Sequence, residues 1–295
     1  LLAIRHKRIH EMIELLKEIW ATVRHNRLRT ALTGFAVGWG IFILIFLLGA
    51  GNGLINAQMK QSEQFLKNSM VVYGGMTTKA HAGFDIGRRI ELNNRDLQVT
   101  SSNFTENIRK TGASLWKGSV IMRLGPNYMT NQTIEGTFPM RVEIDKIEIV
   151  HGRFINDIDI REKRKVIVLS QTQTKELFRE GSGLLGKDII VNGAVFRVIG
   201  ISKDDSSSSN SVAYAPFSTI SAMYNYGHRV DRIEFSVTGI ATEEESEAFV
   251  KKYRECINPN HEAAPDDDGA LWIWNRLSQS MQMNSGMSIL RTSLW

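Results

Sequence analysis

Between Ala31 and Ala50 the sequence ALTGFAVGWGIFILIFLLGA carries no charged residue, and this unbroken apolar run predicts a membrane-spanning helix. At about 1.5 Å of rise per residue it covers roughly 30 Å, the thickness of a bilayer's hydrocarbon core. A core helix of a soluble domain normally breaks such a run within ~14 positions. Thirty residues precede the run and its far end lacks an A-x-A cleavage site, so it reads as a retained span and not a cleaved leader. Gly34, Gly38 and Gly40 set a small-xxx-small pattern on its first half, a surface that lets another helix approach closely.

The flanking patterns are helical too. From Ile9 to Val23 the residues Met12, Ile13, Leu16, Ile19, Trp20 and Val23 recur at helical spacing opposite Glu14, Lys17, Glu18 and Arg24, predicting an amphipathic helix along the inner membrane surface. After Gly51-Asn52-Gly53, Leu54 to Met70 reads as a polar helical stalk with Ile55, Met59, Ser62 and Leu66 along one side. Near the other end Asp266-Asp267-Asp268 reads as the cap of a second long helix, Gly269 to Trp295, with Leu277 and Met281 on its apolar side. Its apolar content rises towards Ile289, Leu290, Leu294 and Trp295, as in a chain returning to the membrane. The two stalks are expected to pack as a lever, Ile55, Met59 and Leu66 meeting Leu277, Met281 and Met287, with Gln58, Gln61, Gln279 and Gln282 turned to water or a second subunit.

Between the stalks the pattern gives two βαβ units. The first is a strand at Met70 to Tyr73, a Gly-rich loop from Gly74 to Gly87, a helix from Asn94 to Lys110 and a strand from Ala113 to Leu124. The second is a strand at Arg232 to Val237, a helix from Thr242 to Cys256 and a short extended piece before Asp266. Together they predict a split α+β domain whose sheet is covered on one side by helices. Gly125 to Tyr226 would then be a strand-rich insertion. In it Lys165 to Leu169 is a buried strand, Gln171 to Phe178 a helix, and Lys187 to Val191 with Ala194 to Ile201 a hairpin about the Asn192-Gly193 turn. Lys203 to Ser211, KDDSSSSNS, reads as a solvent-exposed loop before Val212 to Tyr214.

Charge fixes orientation. Arg5, Lys7, Arg8, Lys17, Arg24, Arg27 and Arg29 precede the span, whereas Gly51 to Ser69 holds only Lys60 and Lys67, so the amino end is cytoplasmic and the main domain lies outside. The same segment contributes seven basic and three acidic side chains, +4 of the chain's formal +5, so the basicity reflects topology and lipid-surface attraction, and nucleic acid is not expected as a partner. A single cysteine, Cys256, leaves the outer domain to be held by its core alone.

Candidate chemistry is sparse. Gly181, Gly186 and Lys187 in GSGLLGKD match the opening of a phosphate-binding loop, but Asp188 stands where Ser or Thr should bind magnesium, and a strand follows where a helix should. It reads as a turn, and no cofactor is expected. Asp157, Asp159 and Arg161, and the 266–268 triplet, lack the spacing of a calcium loop and read as a solvated loop and a helix cap. His6 and His10 sit among basic residues and the other histidines are dispersed, so neither a metal site nor a catalytic set is expected.

Several segments resemble the MacB/FtsX-type permease subunits of bacterial ABC transporters. They are RTALTGFAVGWGIFILIFLLGAGNGL (Arg29 to Leu54), GRFINDIDIREKRKVIVLS (Gly152 to Ser170), ELFREGSGLLGKDIIVNGAVFRVIGI (Glu176 to Ile201), AYAPFSTI (Ala213 to Ile220) and DGALWIWN (Asp268 to Asn275). The resemblance implies an α+β fold: one N-terminal transmembrane helix, helical stalks, and a periplasmic domain made of a split βαβ porter-like subdomain with a strand-rich insertion. The expected segments are 1–27 cytoplasmic amphipathic helix, 28–50 transmembrane helix, 51–69 stalk, 70–124 first porter-like half, 125–226 insertion, 227–267 second porter-like half, and 268–295 second stalk leading to a further membrane helix. The family carries three more membrane helices and a cytoplasmic coupling segment, so the sequence reads as a piece of a longer protein.

The resemblance further implies a permease in the inner membrane that transmits ATP-driven change to its periplasmic domain and exports a drug, peptide or lipoprotein. Its expected partners are an ABC ATPase subunit, separate or fused, a second copy or a related permease, membrane lipid, a periplasmic adaptor and an outer-membrane factor. The alternative is a signalling or scaffold protein of the FtsX-like type that regulates a partner without moving cargo.

Overall fold

The computed structural model describes residues 27–62, 66–178, 183–204 and 211–293. The helix expected over residues 9–23 and most of the serine-rich run 203–211 lie outside the described residues. The chain divides into two compact units, Leu1–Gln61 and Ser62–Trp295.

The first unit is described from α1 (Arg27–Ser62), a single 36-residue helix. Its Arg27–Gly51 part has a mean hydropathy of 2.3 and is long and apolar enough to cross a membrane. Gly51-Asn52-Gly53 does not interrupt it, so the expected span and the start of the expected stalk are one continuous helix. Phe35, Trp39, Phe42 and Phe46 stack in a ladder along it, with successive ring centroids 5.8, 5.5 and 6.4 Å apart.

The second unit begins with β1 (Ser69–Gly74), α2 (Asn94–Asn103), β2 (Ile108–Leu124) and β3 (Asn127–Thr137). There follow α3 (Arg141–Ile144), β4 (Ile149–Gly152), α4 (Asp157–Arg161), β5 (Val166–Ser170), α5 (Gln171–Leu177), β6 (Asp188–Val191), β7 (Ala194–Ser202), β8 (Val212–Pro216) and α6 (Phe217–Met223). The chain then forms β9 (Arg232–Val237), α7 (Glu243–Ile257), β10 (Leu271–Asn275) and α8 (Arg276–Ser293).

The architecture is α+β, and its frame is the strand order β10-β1-β9-β2 with every neighbour antiparallel. β1 and β2 therefore run parallel with β9 between them, and β9 and β10 run parallel with β1 between them. These are two interlocked split βαβ units. Alternation selects the covered face: Met70 and Val72, Ala113 and Leu115, Ile233 and Phe235, and Leu271 and Ile273 join one core with Phe104, Phe249, Tyr253 and Ile257. Thr242 and Glu245 form a capping box on α7, and Glu243, Glu244 and Glu245 complement its amino-terminal dipole.

Three boundaries differ from the sequence reading. The returning strand is Leu271–Asn275, beyond the acidic triplet, because it pairs with β1 from Met70↔Asn275 to Gly74↔Leu271. The second stalk helix accordingly starts at Arg276, with Asn275 Oδ1 accepting from Ser278 N at 3.0 Å. Asp267 is no helix cap: its carboxylate accepts from Thr78 N at 2.8 Å, Lys79 N at 3.1 Å and Gly269 N at 2.9 Å, fixing the loop after β1. Finally, α2 stops at Asn103 and β2 starts at Ile108, where pairing with Val237 of β9 captures the backbone. Asp159 is likewise not solvated; it is buried, completes the capping box of α4 with Asn156, and pairs with Arg153 at 2.6 Å.

The insertion is strand-rich. β2 and β3 continue as a long hairpin out of the first sheet, and pairs β3·β8, β8·β5, β5·β7, β7·β6 and β6·β2 close a ring of six strands. Val120, Met122, Ile134, Ile167, Leu169, Ile189, Phe196 and Val198 fill it. Asn192 and Gly193, at φ 44° and 86°, make the left-handed turn of the β6–β7 hairpin. Gly186 turns into β6 at φ 80°, and Lys187 Nζ lies 3.9 Å from the Phe178 ring centroid, an arrangement of a turn and not of a phosphate cradle.

Candidate coupling site at the base of the stalks

The sheet face away from α2 and α7 is polar by alternation. On β9 the side chains of Arg232, Glu234 and Ser236 take that face while Ile233, Phe235 and Val237 take the core. All three polar residues are buried, and α3 packs against this strand. α3 brings Arg141, β3 brings Glu135, and α8 brings Arg276 as its first residue. With Asp145 they form a cluster of three arginines and three carboxylates.

Arg232 Nη2 lies 3.0 Å from Glu135 and 2.8 Å from Glu234. Arg141 Nε is 2.9 Å from Glu135, and its Nη1 pairs with Asp145. Arg276 Nη1 donates to Asp145 Oδ1 at 2.8 Å and to the carbonyl oxygen of Ile144 at 3.2 Å. That same carbonyl accepts from Leu66 N at 2.8 Å. One peptide group of α3 therefore receives both the segment that enters the domain and the helix that leaves it.

Burial opposes ionisation of Glu135, but the guanidinium groups of Arg141 and Arg232 outweigh it and hold the carboxyl below its ordinary range. For Arg232 the carboxylates of Glu234 and Glu135 overcome desolvation and raise the pKa. Arg276 goes the other way, pushed down to about 10 by burial and by the neighbouring charges of Arg232 and Arg141. A balanced, dry cluster of this kind costs much desolvation, so it contributes a specific arrangement more than raw stability. The cluster presents no nucleophile paired with a base. Among the described residues no group of three or more His, Cys, Asp or Glu is placed to hold a metal.

The base of α8 is fastened to α7 as well. Asn275 Nδ2 donates to Ser246 Oγ at 2.7 Å, Ser278 Oγ donates to Glu243 at 3.3 Å, and Gln282 donates to the same carboxylate. Trp274 Nε1 donates to Gln279 at 3.1 Å. Gln279 and Gln282, expected to face water or a second subunit, are both exposed and also bond within their own unit.

The sequence-derived positions are distributed as follows. Gly34 and Gly38 are exposed on α1, and a Cβ on either would meet nothing within 4 Å among the described residues. Leu66 is half-buried and reaches the junction through its amide. Leu277 packs against the first core, and Met281 is half-buried. The side chains of Ile55, Met59 and Met287 lie outside the described residues. Sequence reasoning missed Glu135, Arg141, Arg232, Glu234 and Arg276; the available signal was the strict polar alternation of RIEFSV on a strand flanked on both sides.

Among curated relatives, the chain is 21% identical over 232 residues to the macrolide export ATP-binding/permease protein MacB of Aggregatibacter actinomycetemcomitans, covering 77% of this chain and 35% of that protein. It is 24% identical over 282 residues to the MacB of Bdellovibrio bacteriovorus, covering 94% of this chain and 42% of that protein. A third relative is the pyoverdine export ATP-binding/permease protein PvdT of Pseudomonas entomophila, 24% identical over 88% of this chain and 39% of its own length. The chain thus spans less than half the length of these relatives.

In fold it is similar to the periplasmic region of MacB from Actinobacillus actinomycetemcomitans, with a TM-score of 0.59, 20% identity, and coverage of 75% of this chain and 95% of that one. It is also similar to the extracellular domain of the noncanonic ABC-type transporter YknZ from Gram-positive bacteria, with a TM-score of 0.57, 17% identity, and coverage of 70% and 100%. The family model of the MacB-like periplasmic core domain matches residues 30–253, and with the split βαβ frame and the apolar α1 this establishes that the chain belongs to the MacB-like periplasmic core domain family of ABC transporter permeases.

Proposed function

We propose that this chain is the permease part of a MacB-like exporter, working with an ABC ATPase, separate or fused, that supplies nucleotide hydrolysis. α1 crosses the inner membrane with its amino end in the cytoplasm, and the second unit stands in the periplasm. Conformational change travels along both stalks and enters the periplasmic domain at the α3 junction. Cargo is a drug, peptide or lipoprotein, its relatives being named for macrolide and pyoverdine export, and the permease pairs with a second copy or a related subunit. A periplasmic adaptor and an outer-membrane factor complete the path.

The observation that carries this reading is the shared Ile144 carbonyl. Because Leu66 N and Arg276 Nη1 both bind it, displacement of either stalk base acts on α3, and α3 holds the charge cluster that links the first sheet to β3 of the insertion. The paired stalk seam of Ile55, Met59 and Leu66 with Leu277, Met281 and Met287 belongs to the same proposal, as does Gly34 and Gly38 as a helix-packing surface. The test is co-purification of the full-length protein with a nucleotide-binding subunit in detergent and in nanodiscs. A stable complex whose ATPase rate responds to Arg276→Ala supports the proposal; repeated failure to form any complex overturns it.

A further inference from the structure

At the end of the first sheet away from Ser69 and Asn275, a cleft of about 330 Å³ opens between β1, the segment 89–92 and the segment 229–231. We infer that this cleft is a binding site for a neutral saccharide, and the inference stands apart from whether the protein moves cargo. Its floor is aromatic. Tyr73 and Trp116 line it as a stacked pair, within 10° of parallel and with centroids 6.4 Å apart, and the ring of Trp272, 58% exposed, stands beside it, 5.1 Å from the Tyr73 ring and tilted by 38°. The buried guanidinium of Arg232 backs the Trp116 ring at 5.0 Å. Such ring faces carry negative potential and attract the polarised C–H face of a sugar ring.

The walls decide the ligand class. Arg229 and Asp231 form one side, paired at 2.7 Å, with Asp231 further held by Trp116 N at 2.8 Å. Arg89 and Glu91 form the other, exposed and without a side-chain hydrogen bond among the described residues. Two positive and two negative groups leave no net charge to select an anion or a cation. Ile90, Leu92 and Val230 also line the cleft, but they are only 3%, 1% and 2% exposed and belong to the first core, so they offer mainly backbone. A lipid chain or an aliphatic drug would find no aliphatic wall. A ring with one apolar face and a rim of hydroxyls satisfies floor and walls together, and the volume lies at the lower end of the ~300–1,000 Å³ usual for small-molecule sites. Gly74 keeps the cleft's edge in shape: a Cβ there would stand 1.9 Å from the Ile90 carbonyl oxygen.

The test is ligand-observed saturation-transfer NMR on the full chain in nanodiscs, with maltose and diacetylchitobiose as probes, and benzoate and tetraphenylphosphonium as charged aromatic controls. Saturation of the sugar ring protons is expected, with affinity about tenfold weaker in Trp272→Ala and in Glu91→Gln, both at exposed positions. Circular dichroism of each variant checks the fold. No transfer to either sugar at millimolar concentration overturns the inference. So does transfer that both variants leave unchanged, or a preference for either charged control.

Discussion

Leu66 and Arg276, far apart in sequence, donate hydrogen bonds to one acceptor, the carbonyl oxygen of Ile144. A backbone carbonyl has two lone pairs and accepts both without strain. The entering segment and the departing helix therefore meet at one peptide group of α3, and under the proposed function displacement of either acts on that group.

Truncating Arg276 leaves Asp145 with one fewer cation and the cluster out of balance. Arg276→Ala is expected to destabilise the second unit by about 3–5 kcal/mol, the range for removing one partner of a buried ion pair. A double-mutant cycle with Asp145→Ala should return a coupling energy on the order of 0.5–3 kcal/mol. Denaturant unfolding followed by near-UV dichroism reads both. A cycle that closes at zero would show that the two side chains do not act together.

Acid should loosen the domain in a defined direction. Glu135 and Asp267 both titrate below their ordinary values of 4.5 and 3.8. For Asp267, burial raises the pKa but the hydrogen bonds from Thr78, Lys79 and Gly269 outweigh it. A folded pKa below the unfolded one means the stabilisation is present above the unfolded value and is lost as pH falls through the folded one. Stability should therefore be flat near neutrality and fall below about pH 4. Asp267→Asn should flatten part of that fall while lowering stability at pH 7, since an amide cannot accept all the bonds the carboxylate does.

Much of this fold was legible in the sequence and the junction was not. Periodicity gives α1, the β1 and β9 strands, α7 and the Asn192-Gly193 hairpin, because each is a local pattern. β10 escaped because LWIWN is five residues long and becomes a strand only by pairing with β1, about two-thirds of the chain away. The burial of Arg232 and Glu234 was not legible, since nothing local shows that α3 will pack against their strand. The buried role of Asp267 escaped for the same reason: an acidic triplet before a helical pattern is locally a cap, and only the loop at Thr78 makes it an anchor.

Glycine substitutions should separate packing inside the chain from packing against a partner. Gly74→Ala forces a Cβ into the Ile90 backbone, and overpacking of this kind costs typically ~1–3 kcal/mol or more. Gly38→Ala meets open space and should leave the isolated chain's stability within about 0.5 kcal/mol or slightly raised. If Gly34 and Gly38 face another membrane helix, Gly38→Leu should weaken assembly, read by crosslinking in nanodiscs, without unfolding the second unit.

Cysteines at Met59 and Met281 in a Cys256→Ser background should crosslink within one chain. Their failure to do so while ATPase coupling is intact in the full-length protein would remove the paired-stalk part of the proposal and leave the α3 junction standing alone.

The most direct test of the coupling role is hydrogen exchange on the full-length protein with its ATPase, with and without ATP, in wild type and in Arg276→Gln. The account predicts that ATP changes exchange at the Leu66 amide and across residues 141–145 together. In the variant, the change at 141–145 should shrink while ATP turnover continues. Exchange at 141–145 that ignores ATP in an active wild-type complex, or that responds equally in the variant, would contradict it.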